Sequence, residues 1–224
     1  MNLVEYRFLS VAELLVSRFW TKVCGITRSK DAQIAEAFGA CALGVIFYEP
    51  SPRHVSPSCI GEIFGNVSNK TERIGLFVNP SAELVNRVLD TGVINYLQFH
   101  GEENEDFCAS FQIPYMKALR VKDGGTALKS ARAYRSADRI LLDTYVENLK
   151  GGTGKTMDWT QAALVTAGCD KPVVLAGGLD GNNVGEAIRI AAPAGVDVSS
   201  GVEESPGIKN VNKLKSFFDG VYRV

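Results

Sequence analysis

Histidines, paired cysteine motifs and long apolar runs are scarce or missing in this sequence of 224 residues. There are only two histidines, and the five cysteines are widely spaced with no C-x-x-C pair, so no zinc or other metal site is expected. No run of roughly 18 apolar residues occurs, which argues against a membrane span. The formal net charge of -1 gives no basic footprint for nucleic acid. Unpaired thiols in odd number are typical of the reducing cytoplasm.

The first nineteen residues differ from the rest of the chain. They mix apolar residues with Glu5, Arg7, Glu13 and Arg18. A secretory signal needs a cationic start and an uninterrupted apolar stretch, and a transit peptide avoids acids, so neither fits. We interpret residues 1–19 as an N-terminal extension of unknown role, or as a start site assigned too early. Residues 20–224 are interpreted as one catalytic domain.

From residue 20 onward, short apolar runs alternate with helical patterns, two of which end at or near Gly39 and Gly92. Such alternation indicates βαβ units, and eight of them in about 205 residues predict an α/β fold, a single closed (β/α)8 TIM barrel. An open doubly wound sheet is the rival, but no G-x-G-x-x-G follows the first run. The predicted strands are 21–24, 42–47, 73–78, 96–100, 115–120, 139–144, 172–176 and 195–199, and the predicted helices include 31–37, 81–89, 183–190 and 212–218.

Two glycine-containing loops follow the seventh and eighth predicted strands. The first contains Gly177 and Gly178, and the second contains Ser199, Ser200 and Gly201. In a barrel, loops at these positions often bind phosphate, because glycine lets backbone N–H groups approach the oxygens and serine adds a hydroxyl donor. Glycines that merely form tight turns are the alternative. Two such loops on adjacent strands favour a phosphate site.

A further glycine cluster at 151–156, GGTGKT, imitates a nucleotide-binding P-loop. A P-loop needs glycine where this chain has Leu149, and it should follow a strand directly. We therefore predict a mobile active-site loop here and no nucleotide site.

Three side chains at the predicted barrel mouth suit acid–base chemistry on an anionic substrate. Cys24 and Asp143 end the first and sixth predicted strands, so a small substrate lying between them would meet a base and an acid. Arg53 lies in a loop stiffened by two prolines and suits fork-like capture of a carboxylate. The simpler interpretations are a buried apolar thiol for Cys24, a loop cap or an ion pair with Arg53 or Lys22 for Asp143, and a surface ion pair for Arg53.

Together, these motifs closely resemble the phosphoribosylanthranilate isomerase family of tryptophan biosynthesis. The resemblance covers essentially residues 20–220 in order. The matching stretches are KVCGIT at 22–27, ALGVIFYEPSPRHVSP at 42–57, GLFVNP at 75–80, LQFHGEE at 97–103, LLDTYV at 141–146, GGTGKTMDW at 151–159, VVLAGGLDGNNV at 173–184 and GVDVSSGVEESPGIKN at 195–210.

The resemblance implies a (β/α)8 barrel that catalyses an Amadori rearrangement of N-(5-phosphoribosyl)anthranilate to 1-(2-carboxyphenylamino)-1-deoxyribulose 5-phosphate. It implies no cofactor and no metal, a phosphorylated small molecule as the partner, and a monomer or homodimer. By the same resemblance, Cys24 is the general base and Asp143 the general acid. The implied substrate-binding residues are Arg53 for the anthranilate carboxylate, Gly177, Gly178, Ser200 and Gly201 for the phosphate, and His100 and Asp197 as lining residues.

Three rival functions remain. A bifunctional isomerase of the histidine and tryptophan pathways would use two aspartates, one of them at the end of strand one, where this chain has Cys24. Indole-glycerol-phosphate synthase would need lysine and glutamate at several strand ends, and these are not seen. A non-catalytic phosphosugar-binding barrel would be expected to lose Cys24 or Asp143, and both are present.

Overall fold

The structure is a computed structural model that describes residues 19–144 and 158–224. The extension predicted at 1–19 therefore lies outside the described residues except for Phe19. The glycine cluster predicted to form a mobile loop, at 151–156, also lies outside them. Among the described residues, no helix combines the length and the apolar character needed to cross a bilayer.

Eight parallel strands close into a barrel in chain order, which confirms the predicted fold. Strand β1 pairs with β2 on one side and with β8 on the other, and this second pairing completes the ring. Each predicted strand lies within one residue of the observed bounds at both ends. The strands are β1 Trp20–Cys24, β2 Ala42–Ile46, β3 Glu72–Phe77, β4 Tyr96–Phe99, β5 Tyr115–Val121, β6 Arg139–Thr144, β7 Val173–Leu175 and β8 Gly195–Val198.

Helices follow the strands, and several begin at a side chain that accepts a hydrogen bond from a free backbone N–H group of the first turn. Ser81, Asn104, Asp123, Asp158 and Asn210 act in this way. The helices are α1 Ser29–Ala37, α2 Ile60–Phe64, α3 Ala82–Leu89, α4 Glu105–Ala109, α5 Gly124–Ala133, α6 Trp159–Gly168, α7 Val184–Ala191 and α8 Val211–Tyr222.

Helix α8 continues past the end predicted at residue 218 and passes through Gly220. A Cβ atom at Gly220 would lie 2.7 Å from Val184 Cγ1 on α7. The glycine is therefore required for the close packing of α8 against α7, and this contact outweighs the low helix propensity of glycine.

A short hairpin that the sequence did not predict follows β8. A 3-10 turn at Ser200–Val202 leads into β9 Glu203–Ser205, which pairs antiparallel with β10 Ile208–Lys209. The hairpin places Glu203 and Lys209 beside the end of β1, where both are buried. It thus brings two charged residues to the barrel mouth.

The alternation of side chains along each strand divides the core into two parts. Outward-facing residues such as Val23, Leu97 and Leu142 pack under the helices in one large cluster. Inward-facing apolar residues fill the interior, and they include Ala42, Ile74, Tyr96, Met116, Leu141 and Val174. Towards the C-terminal ends the inward positions become polar, so the packed interior forms the floor of an open mouth.

One buried charge on the outer side of the barrel holds two loops together. The Lys117 ammonium, which is 1% exposed, donates hydrogen bonds to the Gly101 carbonyl at 2.6 Å and to Glu103 Oε2 at 2.9 Å. Glu103 also accepts from the backbone N–H of Asn79 at 2.7 Å. This pair ties the loop after β3 to the loop after β4.

We expect Lys117→Met to lower the free energy of unfolding by about 3–5 kcal/mol, because it leaves the Glu103 carboxylate buried without its cation. Urea denaturation followed by circular dichroism measures the effect. Lys70→Met, at an exposed lysine, is the matched control and should change stability by less than about 0.5 kcal/mol. A loss below about 1 kcal/mol for Lys117→Met would contradict this role.

Candidate active site

A cavity of about 490 Å³ opens at the C-terminal ends of the strands. In barrels of this type the active site lies at this face, because the loops that follow the strands meet there. The cavity is lined by all the site residues expected from the sequence: Cys24, Arg53, His100, Asp143, Gly177, Gly178, Asp197, Ser200 and Gly201. The barrel therefore brings together residues that are up to 177 positions apart in the chain.

Cys24 is the last residue of β1 and its thiol is 4% exposed at the cavity floor. Its neighbour in the barrel register is Gly44, where a Cβ atom would lie 2.9 Å from Sγ and 3.0 Å from Lys22 Cε. A side chain at position 44 would thus occupy the space of the thiol and of the lysine. Glycine at this position leaves room for both groups on the inner face.

Burial raises the pKa of the Cys24 thiol above its ordinary value. The Lys22 ammonium opposes the rise by attracting and hydrogen-bonding the thiolate, whereas the negative charge of Asp197 adds to it. The thiol form is therefore favoured in the unliganded site, and Lys22 is the main group that stabilises the thiolate.

Lys22 and Asp197 form an ion pair inside the barrel, with 2.8 Å between Nζ and Oδ2. They face each other in the register of β1 and β8. Burial alone would lower the pKa of Lys22, but attraction to Asp197 and to Cys24 outweighs it, and the net pKa is raised. Burial raises the pKa of Asp197, and Lys22 opposes that change. Lys22 consequently keeps its positive charge beside the thiol.

Asp143 pairs with His100, with 3.1 Å between Oδ2 and the imidazole Nε2. The interpretation of Asp143 as a partner of Arg53 or Lys22 was therefore wrong, because these two cations contact Glu203 and Asp197 instead. The other ring nitrogen of His100, Nδ1, lies 3.1 Å from Gln98 Nε2. When Gln98 donates to Nδ1, the imidazole carries its proton on Nε2 and directs it at Asp143.

Arg53 lies across the end of β1, with its Cδ only 2.6 Å from where a Cβ atom of Gly25 would lie. Gly25 has φ 73°, a conformation that also favours glycine. The guanidinium holds Glu203 through Nε at 2.9 Å and Nη2 at 2.6 Å. The pair is largely buried, at 14% and 4% exposure, so it is not the surface ion pair that was the simpler alternative.

The two loops predicted to bind phosphate form one wall of the cavity. Gly177 and Gly178 have φ 85° and 67°, and the Gly178 carbonyl accepts a hydrogen bond from Asn183 Nδ2 at 2.9 Å. A Cβ atom at Gly201 would collide with the carbonyl of Leu179, so this glycine allows the second loop to lie directly on the first. Glycine backbone and the start of the 3-10 turn at Ser200 together offer N–H donors to an anion.

Sequence reasoning did not assign four residues that shape this site, namely Lys22, Gln98, Glu203 and Lys209. All four are buried polar residues. A sequence signal existed for two of them, because Lys22 and Gln98 interrupt apolar strand patterns at inward positions. Lys209, between Ile208 and Asn210, gave none. Glu203 gave no such signal, since it follows a glycine-containing turn and precedes a second glutamate.

Comparison with known proteins adds an independent line of evidence. The family model described as N-(5'phosphoribosyl)anthranilate (PRA) isomerase matches residues 21–220. The N-(5'-phosphoribosyl)anthranilate isomerase of Pseudomonas fluorescens (strain SBW25) is 46% identical over 201 residues, which cover 90% of this chain and 94% of the relative. The phosphoribosyl anthranilate isomerase of Thermotoga maritima has a solved structure that superposes with a TM-score of 0.84 at 35% identity, covering 92% of this chain and all of that chain.

A third comparison concerns a bound ligand. A phosphoribosyl anthranilate isomerase solved in complex with reduced 1-(o-carboxyphenylamino)-1-deoxyribulose 5-phosphate superposes with a TM-score of 0.81 at 33% identity, covering 92% of this chain and 100% of that chain. The match of the family model over almost the whole barrel, together with the identity to the Pseudomonas relative, shows that this chain belongs to the N-(5'-phosphoribosyl)anthranilate isomerase family.

Proposed function

We propose that Cys24 is the general base and Asp143 the general acid of the Amadori rearrangement that this family member catalyses in tryptophan biosynthesis. The substrate is N-(5'-phosphoribosyl)anthranilate, and the product is 1-(2-carboxyphenylamino)-1-deoxyribulose 5-phosphate. The observation that carries the proposal is that a thiol and a carboxylate from β1 and β6 line one cavity between two glycine loops and Arg53. A thiol and a carboxyl group supply the one base and one acid that the reaction needs.

In the first step, the Asp143 carboxyl group donates a proton to the furanose ring oxygen. The bond from C1 to that oxygen breaks, and the lone pair of the anthranilate nitrogen forms a protonated Schiff base at C1. His100, 3.1 Å from Asp143 Oδ2, is placed to share a proton with this carboxyl group. General acid catalysis of this kind is worth about 10²–10⁴-fold in rate.

In the second step, the Cys24 thiolate removes the proton from C2. The electrons of that C–H bond form a double bond between C1 and C2 and neutralise the iminium nitrogen. The resulting enol becomes the ketone by moving its hydroxyl proton to C1, so no atom is gained or lost. Solvent then returns a proton from Cys24 to Asp143, and the site is ready for another turnover.

The two ends of the substrate match the two ends of the cavity. The phosphate is held by the backbone N–H groups around Gly177, Gly178, Ser200 and Gly201, where partial positive charge accumulates. Arg53 binds the anthranilate carboxylate, and Glu203 fixes its guanidinium in advance. His100 and Asp197 line the middle of the cavity. The reaction as proposed requires neither metal nor cofactor.

Two expectations from the sequence stay predictions. A cytoplasmic location rests on the use of cysteine, and all five cysteines are free. A monomer or a homodimer is expected. One solved relative, described as monomers generated from the dimeric enzyme of Thermotoga maritima, superposes with a TM-score of 0.81 at 34% identity.

We expect Cys24→Ser and Asp143→Asn each to lower kcat by about 10²–10⁴-fold, because each removes one of the two proton-transfer groups. Loss of substrate fluorescence under saturating substrate measures kcat, and circular dichroism checks that the variants are folded. Cys59→Ser and Asp170→Asn change exposed residues and should keep turnover near that of the native chain. Near-normal turnover in either site variant would overturn the assigned roles. A native chain that shows no turnover of this substrate would favour the non-catalytic barrel.

The pH dependence of kcat/KM tests whether the base is a thiolate. Burial raises the pKa of Cys24. In an Asp143→Asn background, where the acid no longer titrates, the residual kcat/KM should therefore rise with pH and level off only above the ordinary thiol pKa of about 8.5. In the same background, Lys22→Met removes the main group that stabilises the thiolate, so the rising limb should move to higher pH. Lys70→Met, at an exposed lysine, should leave the limb in place, and a limb that moves to lower pH in Lys22→Met would contradict the assignment.

A further inference from the structure

Gln98 on β4 has a side-chain environment that the acid–base mechanism does not explain. It is completely buried, yet it lines the same cavity as Cys24 and Asp143. Its Nε2 lies 3.1 Å from His100 Nδ1. Its Oε1 has no hydrogen-bond partner among the residues that the structure describes.

Asp197 carries a second unpaired acceptor in the same cavity. Its Oδ2 contacts Lys22, whereas its Oδ1 has no hydrogen-bond partner within residues 19–144 and 158–224. A buried polar atom without a partner costs about 1–3 kcal/mol, and nearly all such atoms in folded proteins are paired. Two unpaired acceptors in one cavity therefore indicate a ligand, or the water that it displaces, that presents hydrogen-bond donors.

The chemistry of these two atoms selects the part of the ligand that they contact. An amide oxygen and a carboxylate oxygen accept hydrogen bonds and repel the oxygens of phosphate and carboxylate groups. They do not suit the charged ends of the substrate. They do suit hydroxyl groups, which the sugar carries between its phosphate and its nitrogen.

We propose that Gln98 Oε1 and Asp197 Oδ1 form a hydroxyl-binding subsite that accepts hydrogen bonds from the sugar hydroxyls of the substrate. This inference rests on the proposed function, because it assumes a phosphosugar in this cavity. The subsite holds the middle of the substrate, while the glycine loops and Arg53 hold its ends. A substrate fixed at three points keeps its reacting carbon within reach of Cys24.

The side-chain amide nitrogen of Gln98 connects this subsite to the proposed acid, Asp143, through His100. Its Nε2 donates to His100 Nδ1, so the opposite ring nitrogen directs its proton at Asp143 Oδ2. Gln98 is thus a substrate-binding residue through its oxygen and a positioning residue for His100 through its nitrogen. A methionine at this position would keep the volume and remove both functions.

Equilibrium binding tests the subsite without any turnover. The probe is reduced 1-(o-carboxyphenylamino)-1-deoxyribulose 5-phosphate, compared by titration calorimetry with its 2-deoxy and 3-deoxy forms. In the native protein we expect removal of the hydroxyl that Gln98 binds to raise Kd by roughly 5- to 150-fold. Gln98→Met should raise Kd for the parent compound by a similar factor, and in that variant the penalty for the same deoxy compound should fall below roughly 3-fold.

The proposal is overturned if Gln98→Met binds the parent compound within about 2-fold of the native protein, or if both deoxy compounds keep their full penalties in that variant. Gln33→Met, at an exposed glutamine, is the matched control and should leave every Kd unchanged. If Gln98→Met does not fold, Gln98→Glu keeps an acceptor and should retain the deoxy penalty, and loss of that penalty would likewise overturn the subsite. Because these binding measurements need no turnover, failure of the subsite can be told apart from failure of the proposed chemistry, which the kcat values of Cys24→Ser and Asp143→Asn test.

Discussion

The buried ion pair between Lys22 and Asp197 is the interaction on which the chemical character of the barrel mouth depends. The two residues face each other where β8 meets β1, at the pairing that closes the ring. Burying two charges costs several kcal/mol of desolvation for each ion, and a well-packed apolar pair would often be at least as stable. The stability of the barrel alone therefore gives no reason for charges at this position.

The reason lies at Cys24, which is the next inward-facing residue of β1 and follows Lys22 by two positions. Lys22 stabilises the thiolate, and Asp197 opposes it. The pair thus delivers a cation to the thiol while keeping the interior nearly neutral. A lone lysine would favour the thiolate more strongly, but it would be a buried charge without a partner, with a pKa lowered by desolvation. The carboxylate keeps the lysine charged and moderates its effect on the thiol.

Glu203 plays a corresponding part at the rim of the cavity. Its carboxylate binds Arg53 on one side and the Lys209 ammonium at 2.8 Å on the other, and Lys209 also donates to the backbone carbonyl of Cys24. A single buried carboxylate therefore positions the arginine proposed to bind the anthranilate carboxylate and supports the backbone of the proposed base. The unpredicted hairpin β9–β10 carries both residues that make this connection, Glu203 and Lys209.

The sequence predicted the strands closely and the charge pairs poorly, for a physical reason. A buried strand of a parallel barrel is a short apolar run with polar boundaries, so its ends can be identified from local pattern alone. The partner of Asp143 depends on the stagger between β4 and β6 and on which face each side chain occupies, and no local pattern encodes that. His100 was recognised as a lining residue, but its contact with Asp143 and with Gln98 follows only from the closed ring. The glycine loops were identifiable because their conformations require glycine: Gly177 and Gly178 have positive φ angles, and Gly201 packs against the Leu179 carbonyl.

The buried carboxylates that line the cavity are paired before any substrate arrives, and this pairing favours a proposed phosphate site that is built from backbone. Lys22 contacts Asp197, Arg53 contacts Glu203, and His100 contacts Asp143. A lysine or arginine beside Gly177 and Gly178 would bring a further cation into the cavity that Asp197 and Asp143 line, and it would attract their carboxylates. Backbone N–H groups at glycines attract a phosphate through fixed dipoles and carry no net charge. In the proposed site, the phosphate is therefore bound at one end by neutral groups, and the proton affinities of Cys24 and Asp143 at the centre are set by their own neighbours.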